Sequence, residues 1–193
     1  MEDIYTTTSS DTSSSATKIF LEPNKIFDQI GIKEGSFVAD FGTGAGHFTL
    51  EAARRVGETG RVVALDILPQ ALESIESQAS MQSLDNIETK RVNLEKEGGS
   101  LLEDASVNFV IAKDMLFMNE DKKVIMQEIF RVLVLGGQVL FVEWNKEGDV
   151  KIGPPQEKRI RKEDIIQMGH EVGFHDEKTL DVGDYHYGYV FVK

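Results

Sequence analysis

The sequence predicts an α/β fold in which a mostly parallel β-sheet has helices on both faces. Short apolar runs typical of buried strands alternate with stretches whose apolar residues recur at helical spacing. The crossovers between most successive strands are long enough to contain a helix, as parallel pairing requires. The last two strand-like runs are joined by only a few residues around Gly183, which predicts an antiparallel pair and a mixed sheet.

The elements follow in order along the chain. A short helix runs through Ile30 with Pro23 in its first turn, a position that proline favours. Each later helix has one apolar face, and these helices cover residues 47–56, 69–79, 120–133 and 163–172. The Gly136-Gly137 pair predicts the stop after helix 120–133. The strands cover residues 36–41, 61–67, 87–93, 107–113, 138–144, 176–182 and 187–192.

Length and composition indicate one acidic domain. The chain has 193 residues, a net charge of −12, 40% hydrophobic residues and no cysteine, so disulfides, thiolate metal sites and cysteine nucleophiles are excluded. The negative charge disfavours a general nucleic-acid binder. No apolar run is long enough for a membrane span and no secretory signal is recognisable, so we expect a cytoplasmic protein. Residues 1–17, rich in Ser and Thr, are predicted to be a disordered tail before one domain over 18–193.

A glycine-rich loop joins the first strand directly to a helix. Its backbone N–H groups lie at a helix N-terminus, where glycine allows a ligand to approach closely. The dinucleotide-binding fingerprint needs glycine at position 47, where this chain has His47. The glycines instead fall at 42, 44 and 46 after Asp40, which is the pattern D-x-G-x-G-x-G.

Two further positions extend this pattern. Asp66 ends the second strand, where a carboxylate can accept both hydroxyl hydrogens of a ribose, although by itself it also suits an N-cap or first-turn acid. Asn93, at the end of the third strand, by itself suits a turn. With these residues in one register, the chain resembles the class I S-adenosylmethionine-dependent methyltransferases, and most of all their small UbiE-type group.

The resemblance implies a seven-stranded Rossmann-like sheet in the order 3-2-1-4-5-7-6, with strand 7 antiparallel. It implies S-adenosylmethionine as the cofactor, with Asp66 at the ribose and Asn93-Leu94 beside the adenine. Asn93 and Asn108 replace aspartates that are common in the family, and Leu135 replaces a proline. The residues that the resemblance assigns to cofactor binding are Asp40, Gly42, Thr43, Gly44, Gly46, Asp66, Ile67, Asn93, Leu94 and Lys113.

The acceptor is expected beyond the carboxyl ends of strands four and five, at Lys113–Leu116 and Glu143–Asn145. We interpret Asp114 and Glu143 as solvated loop carboxylates, with a general base as the alternative. His186 is interpreted as a sheet-face histidine, with a base as the alternative, and Trp144 as a packing residue or an aromatic wall. The sequence therefore assigns no catalytic residue.

The basic run 158–162 is interpreted as a solvated face, with a clamp for an anionic substrate or RNA as the alternative. No metal site is expected, because Gly173 separates His170 from His175. The Asn/Asp-Pro-Pro-Tyr loop of methyltransferases acting on base or amide nitrogens is missing. We therefore predict direct methyl transfer to a small molecule, beneath a lid from residues 1–30 and 145–162. The alternatives are an RNA or protein methyltransferase and a non-catalytic regulator that binds the cofactor.

Overall fold

A seven-stranded mixed sheet forms the centre of the computed structural model, which describes residues 21–147 and 152–193. The strand order is β3-β2-β1-β4-β5-β7-β6, as expected, and β7 runs antiparallel to both β5 and β6. The predicted tail, residues 18–20 of the predicted domain and residues 148–151 of the linker lie outside the described residues. The strands are β1 (Phe37–Phe41), β2 (Arg61–Asp66), β3 (Ile87–Arg91), β4 (Val107–Lys113), β5 (Leu133–Trp144), β6 (His175–Leu180) and β7 (His186–Val192).

Five α-helices accompany the sheet in the described residues. Their positions agree with the apolar periodicity, and the differences are confined to their ends. The first helix stops short of Ile30 because the chain turns at Gly31, which has a φ of +78°. The helices are α1 (Pro23–Asp28), α2 (His47–Val56), α3 (Pro69–Met81), α4 (Lys122–Val132) and α5 (Lys162–Val172).

The two faces of the sheet carry separate apolar cores. On one face Val38 and Ile111 pack with Phe27 and Phe48 from the α1 and α2 side. On the other face the alternate strand residues, including Phe41 and Phe141, pack with the buried residues of α4 and α5. The period of two along each strand therefore produces the predicted cover of helices on both faces.

The prediction that Gly136-Gly137 ends a helix is wrong. Helix α4 already ends at Val132, and β5 begins at Leu133 and continues through the glycine pair. The register between β4 and β5 shifts here, since Val107 pairs with Leu133 and Phe109 with Gln138. Gly136 has a φ of +76° and donates its N–H to the carbonyl of Lys193 at 2.8 Å. The pair thus forms an irregularity within the strand.

The parallel strands β1, β2 and β4 end at one edge of the sheet, next to the carboxyl end of β5. The residues that follow these strands lie close together at that edge. Among residues 21–147 and 152–193, no helix combines the length and the apolar character needed to cross a bilayer.

Candidate functional site

The glycine-rich loop between β1 and α2 has the backbone shape that its sequence predicts. Gly44 and Gly46 have φ angles of +54° and +81°, where an L side chain would be strained. The N–H groups of Gly42 and Thr43 donate to the carbonyl of Leu65 in β2, at 2.8 and 3.2 Å. The loop is therefore fixed against the end of the neighbouring strand.

Asp40 lies beneath this loop. Its buried Oδ2 accepts hydrogen bonds from the hydroxyls of Thr49 at 2.6 Å and Thr43 at 3.1 Å. Burial raises the pKa of Asp40 to about 6, although the two hydroxyl bonds and the charge of Lys113 act in the opposite direction. The carboxylate is therefore mostly ionised at pH 7, and its hydrogen bonds connect the loop to the first turn of α2.

Asp66 ends β2 and directs its carboxylate toward the loop. Oδ2 accepts from the N–H of Gly44 at 3.0 Å, and Oδ1 accepts from the N–H of Leu68 at 2.9 Å. The N-cap of α3 is Leu68 and the helix begins at Pro69, so the alternative interpretation of Asp66 as an N-cap or first-turn acid is wrong. Each carboxylate oxygen has further lone pairs that can accept from a ligand.

Gly44 and Gly46 differ in the space around them. A Cβ atom added to Gly46 would lie 2.6 Å from the side chain of Ile75 in α3. At Gly44 the nearest atom to such a Cβ would be the carbonyl oxygen of Gly42, at 4.0 Å. Gly46 is thus required for helix packing, whereas the backbone at Gly44 is open to a ligand.

A cavity of about 1040 Å³ lies above the loop at the carboxyl ends of the strands. It is lined by all ten residues that the sequence assigns to cofactor binding. They are Asp40, Gly42, Thr43, Gly44, Gly46, Asp66, Ile67, Asn93, Leu94 and Lys113. Asn93 is also a turn residue, because its Oδ1 accepts the N–H of Glu95 at 3.0 Å.

Sequence reasoning missed part of the lining. Met118 and Asn119 belong to the segment after β4, where a short 3₁₀ turn over Leu116–Met118 extends the loop beyond the predicted residues. The position of this segment after a parallel strand was the available signal. The described parts of the two expected lid segments also reach the cavity, through Leu21 and Ile152 among others.

Three residues of the cavity lining come from the ends of β4 and β5 and the start of β7, and we call Asp114, Trp144 and His186 the Asp114–His186 cluster. His186 Nε2 lies 3.3 Å from Asp114 Oδ1, and the imidazole ring lies against Trp144 with ring centroids 4.1 Å apart and ring planes tilted by 40°. All three line the cavity. His186 is the first residue of β7, as a sheet-face histidine should be, and Trp144 combines packing with a place in the cavity wall.

The interpretation of Asp114 and Glu143 as solvated loop carboxylates is wrong. The side chain of Asp114 is only 15% exposed and forms an ion pair with Lys113. Burial opposes its charge, but contacts with His186 and Lys113 hold the pKa of Asp114 below its ordinary value. Glu143 lies within β5 and is fully buried.

Glu143 supports the loop after β4. Its Oε1 accepts the N–H of Leu116 at 2.7 Å, while its Oε2 has no hydrogen-bond partner in the described part of the chain. Burial raises the pKa of Glu143 to about 8, and the nearby Asp114 charge acts in the same direction. Glu143 is therefore largely protonated at neutral pH and fixes the loop that carries the cavity residues.

The basic run does not form a uniform solvated face. Arg159 is buried and donates to the carbonyls of Pro154, Asn145 and Ile152 at 2.7 to 2.9 Å, so it holds the linker in place. Arg161 is exposed and pairs with Asp164 at the start of α5. The solvated interpretation is thus wrong for Arg159, because its guanidinium satisfies backbone carbonyls.

A family model described as a methyltransferase domain matches residues 32–181, a span that includes the glycine loop, Asp66 and Asp114. A solved S-adenosylmethionine-dependent methyltransferase from Aquifex aeolicus superimposes with a TM-score of 0.81 at 25% identity, over 90% of each chain. The chain belongs to the class I S-adenosylmethionine-dependent methyltransferases.

Curated relatives of this methyltransferase match over shorter spans. This chain is 30% identical over 105 residues to an arsenite methyltransferase of Halobacterium salinarum, and the matched stretch covers 54% of this chain and 26% of that protein. This chain is also 30% identical over 120 residues to a ubiquinone/menaquinone biosynthesis C-methyltransferase UbiE of an Enterobacter species. That match covers 62% of this chain and 47% of the relative. The methyltransferase chain thus spans about half or less of the length of these relatives.

The residues of the methyltransferase cavity fit the cofactor of the family. The carboxylate of Asp66 lies beside the open backbone of Gly44 and retains acceptor capacity for hydroxyl groups. Ile67 is about half exposed at the same end, where an apolar side chain suits a planar base. The binding role of each residue remains a prediction.

Proposed function

We propose that this methyltransferase transfers a methyl group from S-adenosylmethionine directly to a small-molecule acceptor. The observation that carries the proposal is the single cavity in which ten predicted cofactor residues converge and which continues to the Asp114–His186 cluster. The sulfonium of the bound cofactor supplies an electrophilic methyl group. The chain then has to align the acceptor and exclude water, and alignment alone is worth roughly 7–11 kcal/mol.

In this proposal the loop end of the cavity binds the cofactor. Asp66 accepts hydrogen bonds from the two ribose hydroxyls, and Gly44 allows close approach of the ligand to the backbone. Asn93, Leu94 and Ile67 lie beside the adenine. Asp40 and Thr43 keep the loop in shape from below, and Lys113 lies at the boundary with the acceptor end.

A small organic acceptor is supported by the lining of the cavity and by the chemistry of the relatives' acceptors. Leu21 and Ile152, from two separate segments, help to line the cavity. The printed names of the relatives refer to quinone biosynthesis and to arsenite. Trivalent arsenic is a soft centre that favours thiolate ligands, and these 193 residues contain no cysteine. An organic acceptor is therefore favoured over arsenite.

The proposal also includes the domain bounds and the location of the protein. We propose a single domain over residues 18–193 and a cytoplasmic location.

Binding is tested by isothermal titration with S-adenosylmethionine, S-adenosylhomocysteine and NAD. We expect both sulfur ligands to bind in a one-to-one ratio and NAD to bind much more weakly. If NAD bound tightly and neither S-adenosylmethionine nor S-adenosylhomocysteine bound, the assignment of the cavity to S-adenosylmethionine would be wrong.

Transfer is tested with methyl-labelled cofactor and cell extract that has been separated into small molecules, RNA and protein. We expect the label in the small-molecule fraction. Label in RNA or protein would show the corresponding alternative. Tight cofactor binding with no transfer to any fraction would show a regulatory protein.

A further inference from the structure

The Asp114–His186 cluster has a geometry that packing alone does not explain. Asp114 has a φ of +50°, a left-handed conformation that residues other than glycine, asparagine and aspartate rarely adopt. Its N–H donates to the carbonyl of Val142 in β5 at 2.8 Å, which fixes the turn at the end of β4. The side chain is thereby directed toward β7, where His186 begins the strand.

The imidazole of His186 is held from two sides. Trp144, its cross-strand partner in β5, lies against the ring with its plane tilted by 40°, and Asp114 Oδ1 lies 3.3 Å from Nε2. Both of these atoms are buried, and neither makes a hydrogen bond within residues 21–147 and 152–193. The negative charge of the carboxylate, 3.3 Å from Nε2, disfavours a lone pair on that nitrogen and favours the imidazole tautomer with hydrogen on Nε2, which leaves the basic lone pair on Nδ1.

We propose that His186 is the base that takes a proton from the methyl acceptor, with Asp114 as its positioning residue. The inference rests on the proposed function and narrows its substrate class to acceptors whose nucleophilic atom bears a dissociable proton, such as a phenol or an enol. Tertiary amines and thioethers, which have no such proton, are excluded.

The step balances without any further reactant. The acceptor atom forms a bond to the methyl carbon as the bond from that carbon to sulfur breaks, and the electron pair of the broken bond stays on sulfur. The acceptor proton passes to Nδ1 of His186. The resulting imidazolium is stabilised by the adjacent carboxylate of Asp114 and later loses its proton to solvent.

Four other groups set the electrostatic surroundings of the pair. Lys113, from the end of β4, forms an ion pair with Asp114. Glu143, from β5, lies close enough to Asp114 for their charges to interact. The guanidinium of Arg159, from the linker, lies 5.7 Å from the ring of Trp144. Tyr187, which follows His186 in β7, uses its hydroxyl to donate to the carbonyl of Ile160 at 3.0 Å.

The structure also offers a matched control. His175 in β6 has an aspartate neighbour as well, with Nδ1 lying 2.9 Å from Oδ2 of Asp176. Its side chain is 56% exposed, and it is not among the residues that line the cavity. His175→Gln therefore removes a histidine next to an aspartate without touching the proposed site.

The first measurement is ¹⁵N NMR of the histidine side chains in the S-adenosylhomocysteine complex, with His186→Gln used to assign the signal. We expect hydrogen on Nε2 and an unprotonated Nδ1 in the wild-type protein, and a mixture of tautomers in Asp114→Asn. Asparagine tolerates the left-handed conformation, so this variant keeps the backbone. Hydrogen on Nδ1, or the same tautomer in both proteins, would overturn the role of Asp114.

The second measurement uses methyl-labelled cofactor and the small-molecule fraction of cell extract as the probe. We expect His186→Gln to bind S-adenosylmethionine within twofold of wild type but to transfer label about 100-fold more slowly, and Asp114→Asn roughly tenfold more slowly. The wild-type rate should rise with pH on its acid side, His186→Gln should lose this dependence, and His175→Gln should match wild type. Wild-type transfer by His186→Gln, or a parallel loss of cofactor affinity, would overturn the proposal. Absence of transfer by the wild-type protein would instead refute the proposed function.

Discussion

The two ends of the cavity differ in how their buried polar atoms are satisfied. At the loop end, the carboxylates of Asp40 and Asp66 accept hydrogen bonds from hydroxyls and backbone N–H groups. In the Asp114–His186 cluster and the nearby Glu143, one buried atom in each of Asp114, Glu143 and His186 has no such partner in the described residues. An unsatisfied buried polar atom is expensive. The loop is thus satisfied before any ligand binds, whereas the cluster keeps unused polar capacity, as the proposed cofactor and acceptor roles require.

The largest effect is expected at the loop end, from Asp66→Ala. Loss of two charge-assisted hydrogen bonds to the ribose should weaken S-adenosylmethionine binding by about 3 kcal/mol, or roughly 150-fold in Kd. Isothermal titration measures this change. Asp85→Ala removes the same charge from an exposed turn before β3 and should bind like wild type. Similar affinities for the two variants would show that the carboxylate of Asp66 only holds the glycine loop in place and does not bind the ribose.

A pair of glycine variants separates folding from binding at the same end. In Gly46→Ala the new Cβ meets Ile75 and the residue keeps a left-handed φ, so we expect a loss of about 2 kcal/mol in the free energy of unfolding. In Gly44→Ala the Cβ enters open space, so stability should fall by only about 1 kcal/mol.

Thermal unfolding and cofactor titration distinguish the two variants. Gly44→Ala should bind S-adenosylmethionine roughly tenfold more weakly, because its methyl group occupies the space for the ligand. Gly46→Ala should keep its affinity at temperatures where it is folded. If Gly44→Ala bound the cofactor as tightly as wild type, the conclusion that the ligand approaches the backbone at Gly44 would be wrong.

The loop end was predictable from the sequence because the residues that form it lie close together along the chain. Asp40 and the three glycines lie within seven consecutive positions, and a strand that ends in such a loop before a helix allows few backbone shapes. Asp66 is farther along the chain, but it ends the next strand, so the parallel order places it beside the loop. The ten predicted residues therefore come together as expected.

The Asp114–His186 cluster was not predictable in the same way. Its members are separated by 30 and 42 positions along the chain and meet only because β4, β5 and β7 are neighbours. Burial also reverses the expected state of Glu143, since acids are usually exposed, whereas helices cover both faces of β5 and bury every residue from 139 to 143. Arg159 differs for a related reason, because the linker carbonyls that it satisfies are set by tertiary structure.

Glu143→Gln tests the buried carboxyl at the acceptor end. The native pKa of about 8 lies above the ordinary 4.5, so the native state binds the proton more tightly than the unfolded state. Its contribution to stability is therefore full below about pH 4.5 and is lost as pH rises toward 8. The slope is at most about 1.4 kcal/mol per pH unit, or roughly 3 °C in Tm.

Glutamine keeps an oxygen that can accept the N–H of Leu116 but does not titrate, so the Tm of Glu143→Gln should change less with pH. Asp40 shifts stability in the same direction, but only up to about pH 6, so the interval from pH 6 to 8 separates Glu143 from Asp40, and the difference between wild type and Glu143→Gln removes the contribution of the histidines. Glu103→Gln, at an exposed position, should keep the wild-type slope. Equal slopes in all three proteins would mean that Glu143 is charged in the native state at pH 7.

The smallest effect is expected from Arg161→Glu, outside both ends of the cavity. The guanidinium of Arg161 is exposed and donates hydrogen bonds only to Asp164 among the described residues, so reversal of its charge should leave cofactor affinity and label transfer within twofold of wild type at low salt. Arg159 cannot serve this test, because any loss of activity in Arg159→Glu would follow from the carbonyls it leaves unsatisfied in the linker. A large loss of transfer in Arg161→Glu, reproduced in wild type by added salt, would show that an anionic acceptor is recognised from the protein surface. The acceptor end would then extend beyond the Asp114–His186 cluster to the start of α5.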